Sequence, residues 1–321
     1  MGSIKKHYSH FSKKNSYICI RLIIIRMKEK YSNIKAKDQI ELFLNDNTFI
    51  FGLCEELSTL MYKSFGDNGE QIMCCPRKYA PILGLYVKIY KFWIECKETF
   101  KEGKSGVYIA YCRILYEAFT KMNSLILGDE QTLQNFQFNS YRRRFKGYQQ
   151  IIHRTDGVSS VMTKKFLDDI TQDGFTIDEM KEPKRNEKNF KELSATVQAH
   201  SFTKAEQELI YTFAYGISSD AIHSDWGELR QFYLISSSDG TLMMPKLDND
   251  KDLDYRGIIT TANIIIKSIA VFISFVNEQK IFLTISENIF EQLENLYRIF
   301  SLISEYIFDE YKNNPYKYMK I

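Results

Sequence analysis

Nineteen consecutive residues, IITTANIIIKSIAVFISFV from Ile258 to Val276, contain no glycine or proline and a single charged side chain, Lys267. A run of this length and hydrophobicity is a helix either inside a protein core or across a bilayer. A lysine near mid-span costs about 3 kcal/mol on insertion into a membrane. The expectation is therefore a buried core helix and no integral membrane association.

A chain with such a helix at its centre needs partners for it, and the rest of the sequence supplies them. Only 15 Gly and 5 Pro occur in 321 residues, with 44% hydrophobic and 26% charged composition, which is the balance of long elements and few tight turns. Ile40, Phe43, Leu44, Leu53, Leu57, Leu60 and Met61 recur at three- and four-residue spacings, as one helix or as two divided at the NDN triplet at 45–47. Pro81 suits the first turn of a helix running to Gly103, and an almost wholly apolar helix follows from Val107 until Gly128 ends it. DEQTLQNFQFNSYRRRFKGYQQIIHR reads as an amphipathic, basic helix, and VSSVMTKKFLDDITQDGFTIDEM as a more polar region. KEPKRNEKNFKEL, with Pro183 inside it, marks a hinge or exposed connection near 181–192. Thr203 and Glu206 form a capping-box pattern before another helix. QFYLISSSDGTLMMP alternates about Asp239-Gly240 as a β-hairpin, and helices near Tyr255–Glu278 and Glu287–Tyr311 close the chain. The fold class is mostly α: a multi-helix bundle with a small peripheral β-hairpin, with residues 31–321 as one helical domain.

Charge is unevenly placed. Residues 1–30 carry eight Lys or Arg and one Glu, whereas the remaining 291 residues carry 35 basic and 39 acidic groups, a net of −4. The body therefore has no global field to draw in a phosphate backbone, and an RNA partner needs a local patch. The N-terminal YICIRLIIIRM, Tyr17–Met27, has the outline of a signal sequence, but Arg21 interrupts it and no small-residue cleavage site follows. A poorly ordered appendage over 1–30 is the expectation, beside a surface helix, a strand, or a leader absent if translation starts at Met27. Six cysteines without a CxxC pair read as reduced thiols of a cytoplasmic protein.

Two helical stripes carry the candidate chemistry. Thr212, Gly216, Ser219 and His223 share one face; Gly106, Ala110, Arg113 and Glu117 share another. Small residues on both permit close packing, which would gather Arg113, Glu117, Ser219 and His223 into a buried polar cluster. Arg113 cannot neutralise, so it needs a partner, and Glu117 at i+4 is nearest. Such a cluster either fixes helix register or forms a catalytic or ligand-binding site. No nucleophile motif stands beside it.

YCRILYEAF (111–119) and LIYTFAYGISSDAIHSD (209–225) resemble the signature helices of a group of uncharacterised bacterial helical proteins, similar in outline to the HEPN superfamily. That resemblance implies metal-independent RNA cleavage by an arginine and a histidine paired across a homodimer, with no cofactor, in a toxin, defence effector or sensor. Only His223 matches the HEPN motif. No arginine lies four to six residues before it, so Arg113 would come from another helix. The alternative class is a non-enzymatic interaction or scaffold protein.

The one strong basic cluster of the body, Arg142, Arg143, Arg144 and Lys146, alternates with Tyr141, Phe145 and Tyr148 as an RNA-binding surface would. LDNDKDLDY lacks the glycine and glutamate of a calcium loop and reads as an acidic loop. No phosphate loop, dinucleotide fingerprint or HExxH is present.

Overall fold

The computed structural model describes residues 47–66, 74–149, 157–202, 226–239, 241–250, 255–281 and 287–313, with the single positions Ile210, Tyr211, Gly216 and His223. Residues 1–46, the Thr203–Glu206 capping pattern and Ser219 lie outside the described residues.

Nine α-helices and one two-stranded sheet make up the described residues: α1 Asn47–Lys63, α2 Ala80–Lys101, α3 Ser105–Leu127, α4 Glu130–Gln149, α5 Gly157–Gln172, α6 Phe190–Ser201, α7 Trp226–Phe232, β1 Leu234–Ser236, β2 Met243–Pro245, α8 Tyr255–Glu278 and α9 Glu287–Asn313. α1 begins at the NDN triplet. α2 and α3 form a helical hairpin whose short turn depends on Gly103, at φ +71°.

α8 is the helix of the apolar run, and 17 of its 24 residues are buried among α1, α2, α3 and α9. The Tyr86 ring stacks on Phe272 at 3.8 Å, and its hydroxyl meets Ser64 Oγ at 2.6 Å. The Trp93 indole donates to Ser58 Oγ at 2.9 Å. The buried hydroxyl of Tyr86 and the indole N–H of Trp93 thus each have a partner, which offsets the cost of taking them out of water.

Lys267 has a structural use inside this core. Its ammonium donates to the carbonyl of Ser201, the last residue of α6, at 2.8 Å, and lies 4.0 Å from the centroid of the Phe202 ring. A cation at a helix C-terminus meets the negative end of the helix dipole and satisfies a carbonyl that the helix leaves open.

A second, smaller core joins α4, α5 and the turn after α5 through Phe138, Phe145, Phe166, Ile170, Phe175 and Met180. α5 departs from the sequence reading, which took this stretch only as polar. Its inward stripe is narrow, Phe166 and Ile170, while Val161 and Met162 point outward, so no wide apolar face advertises the helix. α6 departs likewise, because the charged run before it hides its start. Asn189 and Glu192 cap it reciprocally: Glu192 N–H donates to Asn189 Oδ1 at 3.0 Å and Asn189 N–H to Glu192 Oε2 at 3.1 Å. NFKE was the signal for this boundary.

The connection between the second core and α6 is exposed as expected but is fastened along its length. Buried Asn139 holds both backbone groups of Arg185: Nδ2 donates to the carbonyl at 3.1 Å, and the Arg185 N–H donates to Oδ1 at 3.0 Å. The Arg185 guanidinium lies 3.8 Å from the Phe138 ring centroid and pairs with Glu179 at 3.0 Å. These contacts tie the segment to α4 and to Glu179.

Candidate functional site

Arg113 and Glu117 sit one turn apart on α3, where α6 crosses it. The Arg113 side chain is 12% exposed, its guanidinium 5.5 Å from the centroid of Phe190 at the start of α6. Its Nε is 3.9 Å from Glu117 Oε2, a loose contact, whereas Lys121 Nζ reaches Glu117 Oε1 at 2.5 Å. Burial pushes the Glu117 carboxyl up, but the hydrogen bond and charge of Lys121, with the charges of Arg113 and Lys88, outweigh it and hold the group below its ordinary value. The carboxylate is therefore committed as an anion to its own helix, which suits a brace and not a proton donor near neutral pH.

Further along the same interface, Tyr116 Oη lies 2.6 Å from Ser194 Oγ and Asn123 Nδ2 donates to Ser201 Oγ at 2.6 Å. The polar face of α3 thus meets α6, an element the sequence reading did not separate from the charged run. The expectation of a buried histidine beside Arg113 is corrected: His223 is helical and exposed to solvent. The small residue Gly106 does permit close approach, but to Phe232 and Tyr233 at the end of α7. A Cβ there would lie 3.2 Å from the Phe232 Cβ and 2.6 Å from the Tyr233 hydroxyl.

The basic face of α4 divides by helical geometry. Phe145 is buried, Tyr148 stacks on Phe166 at 4.7 Å, and Tyr141 donates to Asp173 at 2.6 Å. These rings face the second core, so the expected interleaving of aromatics for base stacking is corrected: they pack inward. Arg142 Nε donates to the Glu182 carbonyl in the fastened connection. Arg143, Arg144 and Lys146 point outward.

Two internal polar groups escaped the sequence reading because their members lie on different helices. Lys97 on α2 is buried and joins Glu55 of α1 with Glu98, tying α1 to α2. Cys112 Sγ lies 3.2 Å from Thr261 Oγ1 in the α3–α8 interface, with Cys96 and Tyr108 beside it. Burial pushes the Cys96 thiol well above its ordinary value, so it stays protonated inside the core; burial also pushes the Cys112 thiol up, but its hydrogen bonds with Cys96, Thr261 and Tyr108 outweigh that and hold it below its ordinary value. Of the acidic loop, Asp250 pairs with Lys246 and its N–H donates to the Gly103 carbonyl at 2.8 Å; Asp252 and Asp254 lie outside the described residues.

No curated protein and no solved structure matches the chain. A family model does, over residues 79–241, just over half of the sequence. That segment spans the α2–α3 hairpin, the second core and β1, ends before β2, and holds Arg113, Glu117, His223 and the basic face of α4. The chain therefore belongs to a family of unknown function, DUF5677.

Proposed function

We propose that this protein is a non-enzymatic helical interaction protein in which Arg113 braces α3 against Phe190 of α6, while Glu117 and Lys121 pair along α3. The observation that carries this reading is the internal use of the expected catalytic groups: Glu117 is neutralised by Lys121 at 2.5 Å, and Arg113 packs against Phe190. Such a brace contributes little energy, since an i,i+4 pair is worth about 0.3–0.5 kcal/mol and a cation–π contact about 0.5–1 kcal/mol.

A second reading is an RNA-directed protein of HEPN-like type with His223 as its catalytic group and Arg143, Arg144 and Lys146 as its RNA contacts. Two observations favour it: the imidazole of His223 is open to solvent, and these three cations form an outward ridge on α4.

One set of proteins separates the two. Wild type, His223→Ala and Arg113→Met are compared for RNA cleavage in the presence of a chelator and for melting temperature. The brace reading expects no cleavage by wild type, no change in His223→Ala, and a loss of about 1 kcal/mol in Arg113→Met. Cleavage that His223→Ala abolishes at unchanged melting temperature overturns it. Salt-sensitive RNA binding lost on changing Arg142, Arg143 and Arg144 together to Ala supports the second reading.

A further inference from the structure

After Glu130, its first residue, α4 has no acidic side chain, and its second half carries Arg142, Arg143, Arg144 and Lys146. Arg142 is taken up by the Glu182 carbonyl. The other three are exposed, and among the described residues no carboxylate lies within ion-pair distance of them. Cations elsewhere are matched: Lys97, Lys121, Lys181, Lys184, Arg185 and Lys246 all pair with acids. In a body of 35 basic and 39 acidic groups, three neighbouring cations thus stand without a counter-charge, and Arg143 and Lys146 at i,i+3 repel each other.

The shape of this face narrows what can neutralise it. Ser140, Arg143 and Gly147 follow one stripe of the helix, with Arg144 and Lys146 on either side, and all five are exposed. The space over Gly147 is open, since a Cβ there meets no atom within 4 Å. An anion can therefore come down to the helix between the cationic side chains. The rings of α4 are spent on the second core: Phe145 is buried and Tyr148 stacks on Phe166. A ligand of the outer face meets cations, a hydroxyl and bare backbone, with no ring or apolar side chain among them.

We propose that this face binds the phosphate backbone of a nucleic-acid duplex without reading its sequence. Charge density decides between duplex and single strand, because a duplex carries one phosphate per about 1.7 Å of axis and a single strand one per about 3.4 Å. A single strand makes up that deficit by stacking its bases on exposed rings, and this face offers none. An anionic lipid surface takes in a helix through apolar side chains on the docking side, and on α4 those face the second core. Contact with three phosphates gives a slope of log affinity against log salt of about −2.7 for a duplex and about −2.1 for a single strand. The proposal rests on the RNA-directed reading for its surface and on neither reading for the role of His223.

Fluorescence anisotropy of the full chain with labelled duplex RNA, duplex DNA and single-stranded RNA of equal length tests it between 50 and 200 mM salt. Wild type is expected to bind duplex more tightly than single strand, alike for two unrelated sequences, and to lose about 40-fold in duplex affinity across that range. The tighter of the two duplexes identifies the natural form. Arg143→Ala should cut the salt-dependent loss to about 12-fold, and Gly147→Lys, a fourth cation on the same face, should steepen the slope to about −3.6. Both positions are exposed, so melting temperatures should hold; if Arg143→Ala melts early, the gain in Gly147→Lys carries the test. Tighter binding to single strand than to either duplex, lost in Arg143→Ala, overturns the duplex and leaves the RNA-directed reading standing. Wild type that binds no nucleic acid overturns both. Duplex affinity unchanged in Arg143→Ala and Gly147→Lys, or tighter binding to phosphatidylserine vesicles or polyglutamate than to duplex, overturns the assignment of this face.

Discussion

Asn139→Ala is the sharpest test of whether the 182–189 connection belongs to the folded body. Asn139 is 4% exposed and makes two hydrogen bonds to the Arg185 backbone, at 3.1 and 3.0 Å, and a third to Glu187 at 3.3 Å. A net hydrogen bond contributes about 0.5–1.5 kcal/mol, and each buried group left without a partner costs about 1–3 kcal/mol. The Arg185 side chain is 27% exposed, so water reaches part of the site and the orphan cost falls at the low end. The expected loss is about 2–3 kcal/mol, or a rise of roughly 30- to 150-fold in local opening. Native-state hydrogen exchange reads it at the Arg185 amide. In wild type that amide should be protected; in Asn139→Ala its exchange should accelerate by this factor. Asn139→Asp keeps the acceptor for the Arg185 N–H but loses both donors and sets a carboxylate beside Glu187, so it should be no better than Ala. An Arg185 amide already fast in wild type, or one indifferent to Asn139→Ala, refutes the fastening.

Two further outcomes follow from buried chemistry. Burial pushes the Cys54 thiol up to about 12 from an ordinary value near 9, so its contribution to stability is complete below pH 9 and is lost as pH rises toward 12. Between pH 8 and 10.5 in urea unfolding, the stability gap between wild type and Cys54→Ala should narrow by about 2 kcal/mol; parallel curves would show that Cys54 does not carry this loss. Gly103→Ala places a Cβ 2.1 Å from the Asp250 carbonyl at φ +71°. Left-handed strain of about 1–2 kcal/mol plus overpacking of about 1–3 kcal/mol should lower stability by about 2–5 kcal/mol, and an unchanged melting temperature would contradict the close approach of the α2–α3 turn to the residues after β2.

How far the site could be read from sequence differs residue by residue. The Arg113–Glu117 pair was legible because i,i+4 neighbours on one helix meet whatever the tertiary fold. Their cross-helix company was not. The small residue Gly106 indicated close packing without saying that Phe232 and Tyr233 would approach it. The alternation of basic and aromatic residues in α4 was equally open to two meanings until a second core drew Phe145 and Tyr148 inward.

By itself the sequence determined the helical class, the buried helix around Lys267, the last helix after it and the β-hairpin. Those depend on local periodicity and turn chemistry, which act over a few residues. Only the tertiary structure decided that Lys267 meets the end of α6, that Asn139 fastens Arg185, and that His223 stays in solvent. Each is a contact between residues 46 or more positions apart or a matter of burial, and burial belongs to the packed whole and not to any segment of it.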